Sequence, residues 1–143
     1  MKKNYIYLCL IILVALFIYV YNVKETFVTI PQKMVLKHSD THCLDAYNNQ
    51  IILKECNGSP SQVWYSTQIP DSMYSKLVHS ESKKCLNENL QLDNCENIST
   101  LQWLFSKQTL QNPLNKCLDV SYNLLSMNEC TTDSSQQWNS SIL

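Results

Sequence analysis

The sequence of 143 residues contains no arginine and a single glycine, Gly58. Its 11 basic residues are all lysines, 12 acidic residues balance them, and the net charge is −1. A nucleic-acid-binding protein would need a clear excess of positive charge and usually arginine, which grips phosphate and guanine bidentately. A P-loop or a dinucleotide-binding fingerprint needs several glycines. The composition therefore excludes these classes, and no nucleic-acid partner is expected.

The chain does contain a long apolar run near its amino end. Residues 5–23 carry no charged side chain, and lysines stand on both sides of the run. A helix over this range would be about 28 Å long, close to the hydrocarbon thickness of a bilayer. Tyrosines at each end suit the two membrane interfaces. The sequence therefore predicts a transmembrane signal anchor, and hence a membrane partner, at residues 5–23.

The flanks of this run predict the topology. Lys2 and Lys3 favour a cytoplasmic amino terminus at residues 1–4, with residues 24–32 as a juxtamembrane stalk and the rest of the chain extracytoplasmic. A cleaved signal peptide is the alternative, although bulky side chains before Lys24 offer no small-residue cleavage site. A buried core helix is a second alternative, but the run has no polar face.

Seven cysteines are many for a chain of this length. Cys9 lies in the apolar run, which leaves six, an even number, in the remainder. Clustered cysteines indicate a disulfide framework in an oxidising compartment and a metal site in a reducing one. The predicted topology favours the first.

One short pattern occurs three times beyond residue 32. Each copy has Cys-Leu followed by Asp or Asn, then a second cysteine, and then a glutamine-containing segment that ends in tryptophan. The copies begin at Cys43, Cys85 and Cys117 and end at Trp64, Trp103 and Trp138. They use all six outer cysteines and all three tryptophans, so the chain contains an internal repeat.

Each copy is typical of short β-strands joined by polar turns. Apolar and polar residues alternate in Leu90-Gln91-Leu92, which is the period of a half-buried strand. Segments rich in Asn, Ser and Pro separate the strands, and no stretch after residue 32 has a long helical period. The sequence therefore predicts an all-β domain at residues 33–143. Its three four-stranded pseudo-repeats span about 33–70, 71–107 and 108–143.

The recurring Cys-Leu-Asp, second cysteine and Gln-x-Trp pattern resembles the ricin B-type lectin β-trefoil over residues 33–143. The resemblance implies that the two cysteines of each repeat pair with each other and that the three tryptophans are core residues. It also implies that Gln62 and Gln136 are structural glutamines that bond backbone groups. In the second repeat Leu101 occupies that position and Gln102 is shifted by one. The implied disulfides are Cys43–Cys56, Cys85–Cys95 and Cys117–Cys130.

The same resemblance implies where a sugar would bind. In this family the aspartate two residues after the first cysteine accepts hydrogen bonds from sugar hydroxyls. Asp45 and Asp119 hold this position here, and Asn87 holds it in the second repeat. A carboxylate can accept two hydroxyl protons, and charge-assisted bonds are the stronger kind. The alternative role for both aspartates is structural, as turn caps.

The aromatic platform that the family places two residues before the second cysteine is missing. Lys54, Asp93 and Asn128 stand there instead. Tyr47 and Tyr122 are candidate stacking rings, because each follows its aspartate closely.

Other chemistry has less support in the sequence. His38, His42 and Cys43 have a spacing that could suit zinc, but Cys43 already has a partner in its repeat, so no metal or cofactor is expected. The same pairing removes a Cys-His nucleophile, and nothing resembles an acid–base pair of carboxylates, so no enzymatic activity is expected.

Three sequons give candidate glycosylation sites for a translocated domain. Their asparagines are Asn57, Asn97 and Asn139.

The sequence thus predicts a membrane-anchored, lectin-like module that recognises a ligand outside the membrane. A glycan or glycoprotein is the favoured class of ligand, and cell-surface or virion attachment is the expected role. The alternative is a non-catalytic scaffold or subunit of a membrane or virion-envelope complex. In that case the trefoil has lost sugar binding and contacts other membrane proteins.

Overall fold

The computed structural model describes residues 31–143, together with Ile12 and Val14. Residues 31–143 form one unit made of β-strands and three short 3-10 helices. Within the described part of the chain, no helix is long and apolar enough to cross a membrane. Apart from Ile12 and Val14, the predicted anchor at residues 5–23 lies outside the described residues, as does the predicted terminus at residues 1–4.

Within residues 31–143, twelve strands fall into three groups of four, one group in each predicted repeat. The first group is β1 (Lys33–Lys37), β2 (His42–Tyr47), β3 (Gln50–Glu55) and β4 (Trp64–Gln68). The second is β5 (Ser75–His79), β6 (Cys85–Leu86), β7 (Leu92–Asp93) and β8 (Leu104–Ser106). The third is β9 (Thr109–Gln111), β10 (Lys116–Ser121), β11 (Leu124–Glu129) and β12 (Asn139–Ile142). A 3-10 helix precedes the last strand of each group: Pro60–Gln62, Ile98–Thr100 and Ser134–Gln136.

The first and last strands of the three groups close into a barrel. Strand β1 pairs with β12 and β4, β4 pairs with β5, and β8 pairs with β9, all antiparallel. A bridge between Ser75 and Trp103 joins β5 to the start of β8. The Trp138 N–H donates to the Gln108 carbonyl at 2.6 Å, which joins the start of β12 to β9. The circuit of six strands is therefore complete.

The middle strands of each group form three hairpins, β2–β3, β6–β7 and β10–β11. In the first and third hairpins the two turn residues both have positive φ: 50° and 63° at Asn48 and Asn49, and 50° and 63° at Tyr122 and Asn123. This is the two-residue turn whose twist matches the paired strands, and asparagine tolerates it well. Three hairpins on a six-stranded barrel make a β-trefoil, which confirms the predicted all-β class and the threefold pseudo-repeat.

The core contains one tryptophan from each repeat. Trp64 and Trp138 have no exposed surface and Trp103 retains 2%. Each indole Nε1–H donates to the backbone carbonyl of the leucine in its own Cys-Leu pair, namely Leu44 at 3.0 Å, Leu86 at 2.8 Å and Leu118 at 3.0 Å. A buried indole N–H needs such a partner. The residue after each leucine is the candidate sugar-binding residue. These bonds hold it at a fixed place in its repeat.

Three disulfides connect the two cysteines within each repeat, Cys43–Cys56, Cys85–Cys95 and Cys117–Cys130. They are the pairs that the family resemblance implied. The paired cysteines are separated by 13, 10 and 13 positions in the sequence, and each bridge contributes about 3 kcal/mol in the chain-entropy model. The shorter middle loop accompanies the two-residue strands β6 and β7, so the second hairpin is reduced.

Candidate functional site

The third repeat contains a carboxylate that is oriented by its surroundings. Asp119 lies in β10 and retains 9% of its surface. Its Oδ2 accepts a hydrogen bond of 2.7 Å from Nε2 of Gln136, which also donates to the Glu129 carbonyl at 2.9 Å. The Gln136 Oε1 accepts from the Thr131 N–H at 2.8 Å. The glutamine is therefore fixed at both ends of its amide, and it holds one oxygen of the carboxylate in place.

The polar groups around Asp119 keep it ionised. Burial raises the pKa of this carboxyl, but hydrogen bonds from Gln136, Asn128, Ser135 and the Val120 backbone outweigh burial, so the pKa falls below its ordinary value. An ionised carboxylate is an acceptor on both oxygens. Asp119 can therefore accept hydrogen bonds from hydroxyl groups at neutral pH.

The face of the third hairpin around Asp119 is polar. Ser126 lies directly opposite Asp119 in the pairing of β10 with β11. Asn128 follows two residues later on the same face, and its Nδ2 donates to the Ser126 hydroxyl at 3.1 Å. The half-buried Ser135 takes the position just before the structural glutamine. A carboxylate, an amide and two hydroxyls are therefore available to a polyhydroxylated ligand.

The first repeat has the same internal bond but a less open carboxylate. Gln62 donates from Nε2 to Asp45 Oδ2 at 3.0 Å and to the Glu55 carbonyl at 2.8 Å, and its Oε1 accepts from the Asn57 N–H at 3.0 Å. Asp45 retains only 2% of its surface, and apolar Ile52 is its cross-strand neighbour.

Ser61 is also less available in the first repeat, because its hydroxyl bonds Ser59 at 2.6 Å. By contrast, Asp133 holds the position of Ser59 in the third repeat, and the Ser135 side chain bonds Asp119 instead. The third repeat is therefore the better equipped of the two.

The second repeat uses its equivalent residue to build a turn. The Asn87 Oδ1 accepts from the N–H groups of Asn89 and Gln91, both at 3.0 Å. Leu101, with no exposed surface, fills the place that Gln62 and Gln136 occupy in the other repeats. Asn87 therefore caps its own turn, whereas neither Asp45 nor Asp119 does, because each lies within a strand and bonds a glutamine.

The structure places the remaining candidate residues at the surface. Lys54, Asp93 and Asn128, at the position of the family's aromatic platform, are exposed. Tyr47 is 60% exposed at the end of β2, and Tyr122 is 98% exposed in the turn of the third hairpin. The two tyrosines are not equivalent positions, because the tip residue that corresponds to Tyr122 in the first hairpin is Asn48.

The three sequon asparagines, Asn57, Asn97 and Asn139, are exposed. The Asn97 Oδ1 accepts a 2.8 Å bond from the Ser99 hydroxyl, within its own sequon. Asn139 lies in β12, and its Oδ1 accepts from Gln108 Nε2 at 3.0 Å. Within the described residues, no group of three or more His, Cys, Asp or Glu side chains has a metal-binding arrangement.

The repeated disulfide, indole and aspartate–glutamine arrangement defines a lectin-type β-trefoil. Residues 32–138 match the model of the ricin-type beta-trefoil lectin domain. The chain belongs to this family, whose domain is a binding module. No curated protein matches the chain.

Solved structures share the fold at low sequence identity. A designed 3-fold symmetric protein, ThreeFoil, is 20% identical with a TM-score of 0.64, over 76% of this chain and 96% of its own. The β-trefoil lectin of the Vibrio vulnificus hemolysin/cytolysin, with N-acetyl-D-lactosamine bound, is 17% identical with a TM-score of 0.64, over 80% of this chain and 96% of its own. SeviL, bound to the asialo-GM1 saccharide, is 16% identical with a TM-score of 0.63, over 78% and 97%.

Proposed function

We propose that this protein is a membrane-anchored lectin that recognises a glycan through the third repeat. The observation that supports it best is the Asp119 carboxylate, which Gln136 orients at 2.7 Å beside a polar hairpin face. Membership of the lectin domain family and the sugar-bound lectins among the similar structures support the same ligand class.

Asp119 would accept hydrogen bonds from two neighbouring hydroxyls of one sugar ring. Charge-assisted hydrogen bonds are stronger than neutral ones, and an acceptor already fixed by Gln136 loses little conformational entropy on binding. The Asn128 amide and the Ser135 hydroxyl would complete the polar contacts. The first repeat is a weaker candidate sugar site because Asp45 is nearly fully buried. The second repeat is the weakest candidate because Asn87 caps its own turn.

The apolar run at residues 5–23 supports a signal anchor with the trefoil on the extracytoplasmic side. Three intrachain disulfides fit an oxidising compartment. Many anchored copies on one membrane, on a cell surface or a virion envelope, would convert weak single sites into strong attachment.

The test is a glycan array probed with the full chain in detergent micelles. The matched variants are Asp119→Asn and Asp45→Asn, which remove one charge each and preserve shape. We expect Asp119→Asn to weaken binding at least about tenfold, the loss of one charge-assisted bond, and Asp45→Asn to weaken it much less. Undiminished binding by Asp119→Asn would contradict the proposed site.

A second candidate function is a non-catalytic scaffold in a membrane or envelope complex. The observation that favours it is the absence of an aromatic ring at Lys54, Asp93 and Asn128, since a stacking platform is part of the family's sugar site. The same array distinguishes the two functions. A wild-type chain that binds no glycan at high valency would favour the scaffold, and co-purification of fixed partner subunits from the membrane would support it.

A further inference from the structure

A basin of about 280 Å³ lies where the three hairpins meet, away from the Asp119 site. Its rim includes four amide side chains, and aliphatic side chains of the same hairpins form the rest of its wall. The rim amides are those of Gln50, Asn89, Gln91 and Asn123, and the wall includes Leu90 and Leu124.

The basin arises from a break in the threefold symmetry. The first and second hairpins are joined by two backbone bonds, Ile51 N–H to the Leu90 carbonyl at 3.0 Å and Leu92 N–H to the Asn49 carbonyl at 2.8 Å. Within residues 31–143 the third hairpin makes no such backbone bond to either neighbour. A gap is left beside Asn123 and Leu124.

The second repeat forms one wall of the basin at a conformational cost. Leu90 has a φ of 59° and is the one aliphatic residue among the described residues with positive φ. The Asn87 side chain caps this turn through the Asn89 and Gln91 N–H groups. Asn87, which stands where the other two repeats have aspartate, therefore shapes the wall of the basin.

The chemistry of the lining suits a neutral sugar ring. None of the lining residues in the described chain is charged, which disfavours ionic ligands. The side-chain amides of the four rim residues make no hydrogen bond to other described residues, so they are available to hydroxyl groups. The aliphatic wall offers a surface for the apolar face of the ring, and a volume near the lower limit of ligand pockets suits a small ligand.

We infer that the hairpin basin is a second carbohydrate site, which takes a neutral pyranose independently of Asp119. The two sites share no lining residue, because none of Asp119, Ser126, Asn128 and Ser135 lines the basin. The inference deepens the proposed glycan-binding function by adding a site that does not depend on the repeat motif.

The test uses saturation-transfer NMR on the full chain, with methyl β-galactoside and N-acetylglucosamine as separate probes at millimolar concentration. Four proteins are compared: wild type, Asp119→Asn, Asp119→Asn with Leu124→Glu, and Asp119→Asn with Leu114→Glu. Leu124 is 71% exposed and Leu114 is 69% exposed, so both glutamates are tolerated by the fold, and only Leu124 lines the basin.

We expect Asp119→Asn to retain saturation transfer from at least one probe. Adding Leu124→Glu should weaken that remaining binding at least tenfold, and adding Leu114→Glu should leave it unchanged. If binding disappears in Asp119→Asn alone, the basin is not a sugar site, and the proposed third-repeat site remains supported. Binding that survives Leu124→Glu undiminished would also overturn the basin, and a wild type that binds neither probe would overturn both sites for these sugars.

Discussion

Gln136 donates from Nε2 to Oδ2 of Asp119 at 2.7 Å, and Gln62 makes the equivalent bond to Asp45 at 3.0 Å. The glutamine of the Gln-x-Trp segment and the aspartate of the Cys-Leu-Asp segment therefore form a buried pair in two of the three repeats. Where the glutamine is replaced, at Leu101, the aspartate is replaced as well, by Asn87. The pair therefore links the core of a repeat to its candidate sugar-binding residue.

Removing the glutamine should change the ionisation of the aspartate. Gln136→Leu removes the strongest of the hydrogen bonds that lower the pKa of Asp119, while the burial that raises it remains. We expect the pKa of Asp119 to rise in this variant, as measured by NMR titration of the side-chain carboxyl carbon. Gln102→Leu is the control, because the Gln102 side chain makes no hydrogen bond within residues 31–143. An unchanged Asp119 pKa in Gln136→Leu would contradict this role.

The equivalent substitution in the first repeat should cost stability. Gln62→Leu leaves Asp45, the Glu55 carbonyl and the Asn57 N–H without the partners they have now. We expect a loss of about 2–4 kcal/mol in the free energy of unfolding, measured by chemical denaturation. Gln102→Leu should change it by about 0.5 kcal/mol or less. The double variant Asp45→Asn with Gln62→Leu, which imitates the second repeat, should recover part of the loss.

Stability should fall in mildly acidic solution because of His79. This ring is buried, packs on Trp64 at a centroid distance of 5.2 Å, and has an Nε2 with no hydrogen-bond partner among the described residues. Burial lowers the pKa of His79, and the Glu81 carboxylate only partly offsets this. The unfolded chain, with an ordinary histidine pKa of about 6.5, therefore binds the proton more readily than the folded one.

The contribution of His79 to the free energy of unfolding is complete above about pH 6.5. It decreases as the pH falls below that value and levels off below the pKa of His79 in the folded chain. Denaturation of wild type and His79→Asn between pH 7.5 and pH 5 measures it. Asparagine is chosen because Asn112 caps the corresponding turn after β9, accepting from the Leu114 and Lys116 N–H groups. The variant should lose less stability on acidification than wild type, and equal pH profiles would show that His79 does not titrate in this range.

Glycosylation should report on the side of the membrane that the trefoil occupies. When the full chain is expressed in a eukaryotic secretory system, we expect Asn97 to be modified most completely, because it is exposed outside regular strands and bonds the Ser99 hydroxyl of its own sequon. Asn139 should be modified least, because it lies in β12. A mass shift on glycosidase treatment that Asn97→Gln reduces would support this order, and a chain without any glycan would count against translocation.

The repeat and the fold were predictable because their signals are local. Cysteines and a tryptophan recur at the same places in each copy, which shows the repeat, and the family resemblance implied the cysteine pairing that the structure has. The resemblance also led to Gln62 and Gln136 as structural residues, and the structure adds that each bonds an aspartate side chain as well as backbone groups. Asp45 and Asp119 occupy matching positions in β2 and β10, but their unequal burial depends on cross-strand neighbours such as Ile52 and Ser126.

Features that depend on contacts between repeats were not predictable. The alternation in Leu90-Gln91-Leu92 suggested a strand, but Leu90 belongs to a turn with φ of 59°, and β7 begins only at Leu92. The shorter loop between Cys85 and Cys95 and the bonds to the neighbouring hairpin impose that conformation. The hairpin basin has no sequence signal, since its lining comes from three separate hairpins.

The three indole N–H signals give one reporter for each repeat, because each donates to the carbonyl next to the candidate ligand position. The most direct measurement is a ¹H–¹⁵N spectrum of the full chain during titration with the glycan that binds best on the array. We expect the Trp138 signal to move most, the Trp64 signal less, and the Trp103 signal least. Movement of Trp103 alone, or no movement of any indole at saturating glycan, would contradict recognition through the aspartate of the third repeat.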